Sequence, residues 1–108
     1  MRLNELRDRA NHQANKAGFW DQDWNFAEKI ALIHSEATEA LEEHRAGHSV
    51  SHTYYREDGK PEGVPSELAD IIIRVADLCG EIGIDLEAIV AEKLDFNLSR
   101  PHKHGKAF

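Results

Sequence analysis

Residues 65–83 read PSELADIIIRVADLCGEIG, and this stretch decides the fold. Leu68, Ile71, Ile72, Ile73, Val75, Ala76, Leu78, Cys79 and Ile82 wind around most of a helical wheel. Only Glu67, Asp70, Arg74 and Asp77 interrupt them, as one polar strip with Ile73 on one side and Ile71 and Leu78 on the other. A helix apolar nearly all round is buried on several sides, so its acidic strip is expected to face a cleft. Pro65 suits a first turn, Ser66 is a candidate cap, and Glu67 complements the positive end of the helix dipole. Gly83 breaks the helix.

Upstream, residues 24–45 carry Phe26, Ile30, Ile33, Ala37 and Leu41 at core-stripe spacing, with Asp23 or Asn25 as the cap and Gly47 as the stop. Glu36 lies on the border of that stripe, and Glu39 and Glu43 sit just beyond it. Glu42 and Glu43 read as a solvated face. The pairs Glu36-x-x-Glu39 and Glu67-x-x-Asp70 each put two carboxylates on one helix face, roughly 5–6 Å apart at Cβ. Helices packed at roughly 8–10 Å would merge the four into one small volume. Such a cluster repels itself unless it stays solvated or holds something positive. A hard divalent cation, Mg²⁺ or Mn²⁺, is the natural filling for oxygen ligands.

The 108 residues suit one domain, 1–108, with a modest core. Thirteen basic against 20 acidic residues give a net charge of −7, which argues against a general nucleic-acid or anionic-membrane binder. The single cysteine, Cys79, lies among apolar residues, precludes an intrachain disulfide and suits a reducing cytoplasm. No apolar run reaches transmembrane length and the N-terminal residues lack a signal-peptide pattern, so the expected protein is soluble and cytoplasmic. Residues Leu3–Lys16 read as a helix stopped by Gly18, and residues 48–64 as a loop with a turn at Asp58-Gly59. Asp85 caps a shorter helix through Leu86, Ile89, Val90, Leu94 and Leu98, ended by Pro101. The basic tail, residues 99–108, is expected to be irregular. With no credible strand, the fold is read as all-α, a bundle of about four to five helices completed by oligomerisation.

The order Glu36-x-x-Glu39, gap, Glu67-x-x-Asp70 resembles the MazG-like nucleoside triphosphate pyrophosphohydrolases of the all-α NTP pyrophosphatase group. The run from Asp58-Gly-Lys-Pro-Glu-Gly-Val-Pro through Ser66-Glu-Leu-Ala-Asp is similar to the family's approach to its second acidic helix. So is Gly83-Ile-Asp-Leu-Glu followed by Lys93-x-x-x-Asn97-x-x-Arg100-Pro. The resemblance implies Mg²⁺ held by Glu36, Glu39, Glu67 and Asp70, with Mn²⁺ as a substitute. It implies hydrolysis of an NTP or dNTP to the monophosphate and pyrophosphate, a house-cleaning role, and a homodimer or homotetramer. Lys93, Asn97 and Arg100 are then expected near the phosphates, helped by Lys103 in the basic tail. One departure is Ser35, which stands where related enzymes often carry a further glutamate to activate water. Glu36, Glu39 or Glu43 would then share that task, or a metal-bound water would need no separate base.

Other residues admit two readings. Trp20 and Trp24 offer π-faces for a base or rings for packing. Tyr54 and Tyr55 cover a nucleotide or anchor their loop. Asn11, His12 and Asn15 read a base edge or are surface polarity, and His102 and His104 touch phosphate or belong to a solvated end. Arg74 is read as a structural ion pair and His34 as a helix-surface residue. A non-catalytic helical module with an acidic face is the alternative function, and another phosphoanhydride, such as a dinucleotide cofactor, an alternative substrate.

Overall fold

The computed structural model describes residues 1–107. Its helices are α1 (Leu3–Lys16), α2 (Phe26–Arg45), α3 (Val64–Ile82) and α4 (Leu86–Leu98). Two-residue strands β1 (Tyr54–Tyr55) and β2 (Pro61–Glu62) pair antiparallel between α2 and α3, Tyr54 opposite Glu62 and Tyr55 opposite Pro61. The fold is all-α around this one small hairpin. The expectation of no strand is corrected there: Arg56 N donates to Lys60 O at 2.9 Å and closes the Asp58-Gly59 turn, which draws the flanking pairs together. Strands this short carry no alternation to read.

Local chemistry explains most helix ends. Asn25 Oδ1 accepts from Glu28 N at 3.2 Å and starts α2, leaving Trp24 in the connector. Asp85 Oδ1 accepts from Ala88 N at 3.1 Å and from Asn4 Nδ2 at 2.9 Å, so the cap of α4 also ties it to α1. Gly83 takes the left-handed angles φ 80, ψ 32 that end α3, and Ile84 N closes on Cys79 O at 2.9 Å. Ser66 is not the cap of α3. That helix begins two residues earlier, after Gly63 at φ 109, where a Cβ would sit 2.5 Å from His52 O. The Ser66 hydroxyl donates to Pro61 O at 3.0 Å instead. The tail also departs from expectation: residues His102–Gly105 form one tight turn, with Lys103 and His104 at φ 54 and 53.

α3 is the shared partner of α1 and α2, and α4 leans on α1. Contact with α1 is close because Gly80 has no side chain: a Cβ there would lie 2.6 Å from Asn11 Cβ and 3.1 Å from Arg7 O. Gly80→Ala improves helix propensity by up to about 1 kcal/mol but forces α1 outward, and overpacking costs about 1–3 kcal/mol. Net destabilisation is therefore expected in denaturant unfolding; a stabilised variant would contradict the close packing.

Burial is thinner than the apolar wheel suggested. Ala10, Val64, Ala76, Leu78 and Cys79 are buried, whereas Leu68 and Ile72 on α3 are 49% and 55% exposed. On α2, Ile30 and Ile33 are half-buried, but Phe26 and Leu41 remain exposed. The radius of gyration is 16.3 Å, against about 13 Å for a closed globule of this length. Among the described residues, one flank of α3 is thus left without a helical partner. No helix among the described residues is long and apolar enough to cross a membrane.

Candidate metal centre

Glu36 projects from the middle of α2, and Glu67 and Asp70 from the first turns of α3. Packing these helices brings an oxygen of each of Glu36, Glu67 and Asp70 within 4.8 Å of the others. Glu39, one turn after Glu36 and exposed, stands outside that convergence and shares a neighbouring shallow pocket with Glu43 and Glu67. Three of the four acids of the two sequence pairs therefore converge, and Glu39 lies beside them. Asp70 is half-buried, as its isoleucine neighbours imply.

Glu36 is only 7% exposed and forms the ion pair of this group. Arg74 Nε donates to Glu36 Oε1 at 2.7 Å, which confirms a structural ion pair for Arg74, though with α2 rather than with its own strip. Glu36 Oε2 and Glu67 Oε2 are buried and have no hydrogen-bond partner. An orphaned acceptor in a buried position costs about 1–3 kcal/mol, more when charged. Two such oxygens, with Asp70 beside them, are chemically suited to a hard divalent cation.

The protonation energetics follow. Burial pushes Glu36 up, but hydrogen bonds with Arg74, Glu39 and Glu67, and the Arg74 charge, bring it below the ordinary carboxylate range. Glu67 lacks that arginine. Burial, then contact with Glu39 and Glu36, raises it from the ordinary 4.5 to about 7. Asp70 is raised by burial and by the Glu36 charge, with Arg74 and Lys60 opposing. In metal-free protein, the unfolded chain ionises Glu67 near 4.5 whereas the folded chain keeps its proton to about 7. Its contribution to stability is therefore lost as pH rises through that window and levels off above it. Glu67→Gln should flatten this decline in chelator-treated protein; parallel unfolding curves for variant and wild type across the window would refute the assignment.

A second acidic group adjoins the first and went unread in the sequence. Oxygens of Glu43, Glu62 and Glu67 also lie within 4.8 Å of one another. Glu43 is not part of a solvated face: it is half-buried, and Tyr54 Oη donates to its two oxygens at 2.9 and 3.0 Å. Tyr54 thus anchors the hairpin to α2, and its ring stacks on His48 with centroids 4.8 Å apart. Arg56 and Lys60 each approach Glu62 at 3.6 Å. Unlike the first group, this one already has its counter-charges and donors. Glu43 was findable from its spacing of four after Glu39; Glu62 depends on the hairpin and gave no signal.

Glu36 and Asp70 of the first group line a cavity of about 610 Å³ together with Arg74, Asp77, Trp20, Phe19 and Lys29, and Trp20 is hydrogen-bonded to Asp77, about two helical turns along α3 from Asp70. That volume falls within the range of small-molecule sites. Trp24 packs edge-on against Trp20 at 5.2 Å, so it supports the wall without joining it. Family models, curated proteins and solved structures were compared with the chain. None matches it significantly. The structure brings Trp20 to the acids but leaves Lys93, Asn97, Arg100 and Lys103 off the cavity wall. Lys93 and Arg100 lie instead over the exposed Phe96 ring, at 5.6 and 5.8 Å. Lys103 sits in the tail turn.

Proposed function

We propose that the chain is a Mg²⁺-dependent nucleoside triphosphate pyrophosphohydrolase of MazG-like type, releasing pyrophosphate and a nucleoside monophosphate. The observation that carries this reading is the convergence of Glu36, Glu67 and Asp70 within 4.8 Å, with two buried oxygens lacking partners. The cavity supports it, since its lining runs along α3 from Asp70 to Asp77, and Asp77 holds the Trp20 ring. A nucleotide has that same polarity, with phosphates at one end and a flat ring at the other.

Glu36, Glu39, Glu67 and Asp70 would hold Mg²⁺ or Mn²⁺. When bound, the ion neutralises non-bridging phosphate oxygens and acidifies water. The chain's own residues divide the remaining tasks. Of the three acids offered as the base, Glu36 is pinned by Arg74 and Glu43 by Tyr54, so Glu39, exposed on α2, would take the proton from the attacking water on the oxygen it does not give to the metal. Arg74 and Lys29 line the cavity as cations. Trp20 offers its face to the base.

Lys93, Asn97, Arg100 and Lys103 reach the phosphates in this reading only from a second copy, as a homodimer or homotetramer. The exposed side of α3 and the radius of gyration support such an assembly. The deciding experiment is a panel of NTPs and dNTPs with Mg²⁺, scored for pyrophosphate against orthophosphate, with mass by light scattering alongside. Pyrophosphate from at least one nucleotide is expected. Orthophosphate as the only product contradicts the bond choice, and neither product with no metal uptake favours the non-catalytic acidic module.

A further inference from the structure

The orientation of Trp20 is set by a side chain that belongs to neither acidic group. Trp20 Nε1 donates to Asp77 Oδ1 at 2.9 Å. Asn11 Nδ2 donates to the same oxygen at 3.0 Å and to Glu81 Oε1 at 3.0 Å, and Asn15 Nδ2 donates to Glu81 Oε1 at 3.2 Å. Asp77 is thus gripped from α1 and in turn grips the indole. Gly80 makes this reach possible by letting Asn11 press against α3. Asp77 also lines the cavity, on the same helix face as Asp70 and Arg74.

An indole on a connector between helices has several rotamers open to it. One hydrogen bond to a half-buried carboxylate, itself held by an amide, selects among them. We propose that Asp77 is a positioning residue for the ring-binding end of the cavity, holding the Trp20 indole so that a planar heterocycle stacks on it while the same ligand's phosphates lie toward Glu36 and Asp70. The proposal rests on reading the cavity as a nucleotide site. Lys29 Nζ sits 4.1 Å from the Trp20 ring centre, so an incoming ring competes with a cation for the π-face. Lys29 is half-buried on a flexible stem that can swing its ammonium to water, which frees the face for the ring.

The test uses the full chain carrying Trp24→Phe, which leaves Trp20 as the sole indole of the two. The probes are the α,β-methylene triphosphates of adenosine, guanosine, cytidine and uridine with Mg²⁺, and inorganic tripolyphosphate as a ligand without a ring. At least one nucleotide should quench Trp20 emission, and tripolyphosphate should not. Asp77→Ala should weaken that nucleotide about tenfold, leave tripolyphosphate binding unchanged, and in turnover raise KM without lowering kcat. Asp77→Asn keeps an oxygen that accepts from the indole and should restore most of the affinity. Trp20→Phe, assayed by competition, should lose affinity similarly and make Asp77→Ala silent. If Asp77→Ala fails to show a helical circular dichroism spectrum, Trp20→Phe decides alone.

Absence of quenching by all four nucleotides overturns the proposal. So does wild-type nucleotide affinity in Asp77→Ala or Trp20→Phe, or an equal loss for nucleotide and tripolyphosphate. The two readings separate cleanly. Quenching in a chain that hydrolyses none of the parent triphosphates keeps the positioning role and removes the enzyme. Hydrolysis without quenching keeps the enzyme and removes the positioning role.

Discussion

Glu36→Gln should lower turnover by at least about 10²-fold while the helical circular dichroism spectrum persists. The expectation follows from where Glu36 stands. It is the most buried charged side chain of the cluster, its Oε1 is committed to Arg74, and its Oε2 has no partner at all. An amide there supplies one neutral oxygen and an N–H that points donors at Glu67. The cation site loses charge and gains a wrongly signed group, although volume hardly changes. Arg74 is 41% exposed at its side chain and can turn to water, so the fold is not left with a buried unpaired charge. The measurement is pyrophosphate release with and without added Mn²⁺. Near-normal hydrolysis by Glu36→Gln would remove this carboxylate, and with it the proposed centre, from the chemistry.

The second large effect is thermal. Mg²⁺ at about 100 times its dissociation constant should stabilise the fold by about 2.7 kcal/mol, and a domain of this size converts that into roughly 10–20 °C of melting temperature. The energy comes from relief of repulsion as well as from coordination, because metal-free protein keeps two buried carboxylate oxygens without partners. Chelator should reverse the shift. Glu67→Gln should abolish it, yet melt no lower than wild type without metal, since a carboxylate whose ionisation folding disfavours has left the cluster. That crossing separates a lost site from a damaged fold. A melting temperature indifferent to Mg²⁺ and Mn²⁺ in wild type would refute the metal centre.

The fold was legible where capping chemistry is local. Asn25 and Asp85 announce the starts of α2 and α4, and Gly83 the end of α3, because each acts through its own backbone or a nearby N–H. The start of α3 was misplaced because Gly63 serves through a close approach to His52, a contact no window of sequence contains. Likewise the hairpin, and with it the place of Glu62 beside Glu67, depends on Tyr54 reaching Glu43 across a turn. Of the site, the spacing of three within each acidic pair was readable, since helical geometry forces those carboxylates together. The partnership of Arg74 with Glu36 was not, because wheel position shows a residue's own helix and not its neighbour. Lys93 and Asn97 share α4 with exposed Leu94 and Phe96, Arg100 follows just after that helix, and among the described residues nothing turns them toward the acids.

The cavity draws its two ends from different parts of the chain. The acids come from the contiguous unit of α2, hairpin and α3, whereas Trp20 arrives on the short connector after α1. On the proposed reading, this is a division of labour that evolution can exploit. Changes in residues 17–25 can retune which molecules are welcomed while the reactive end is inherited intact, so descendants of this fold can swap clientele without reinventing their chemistry.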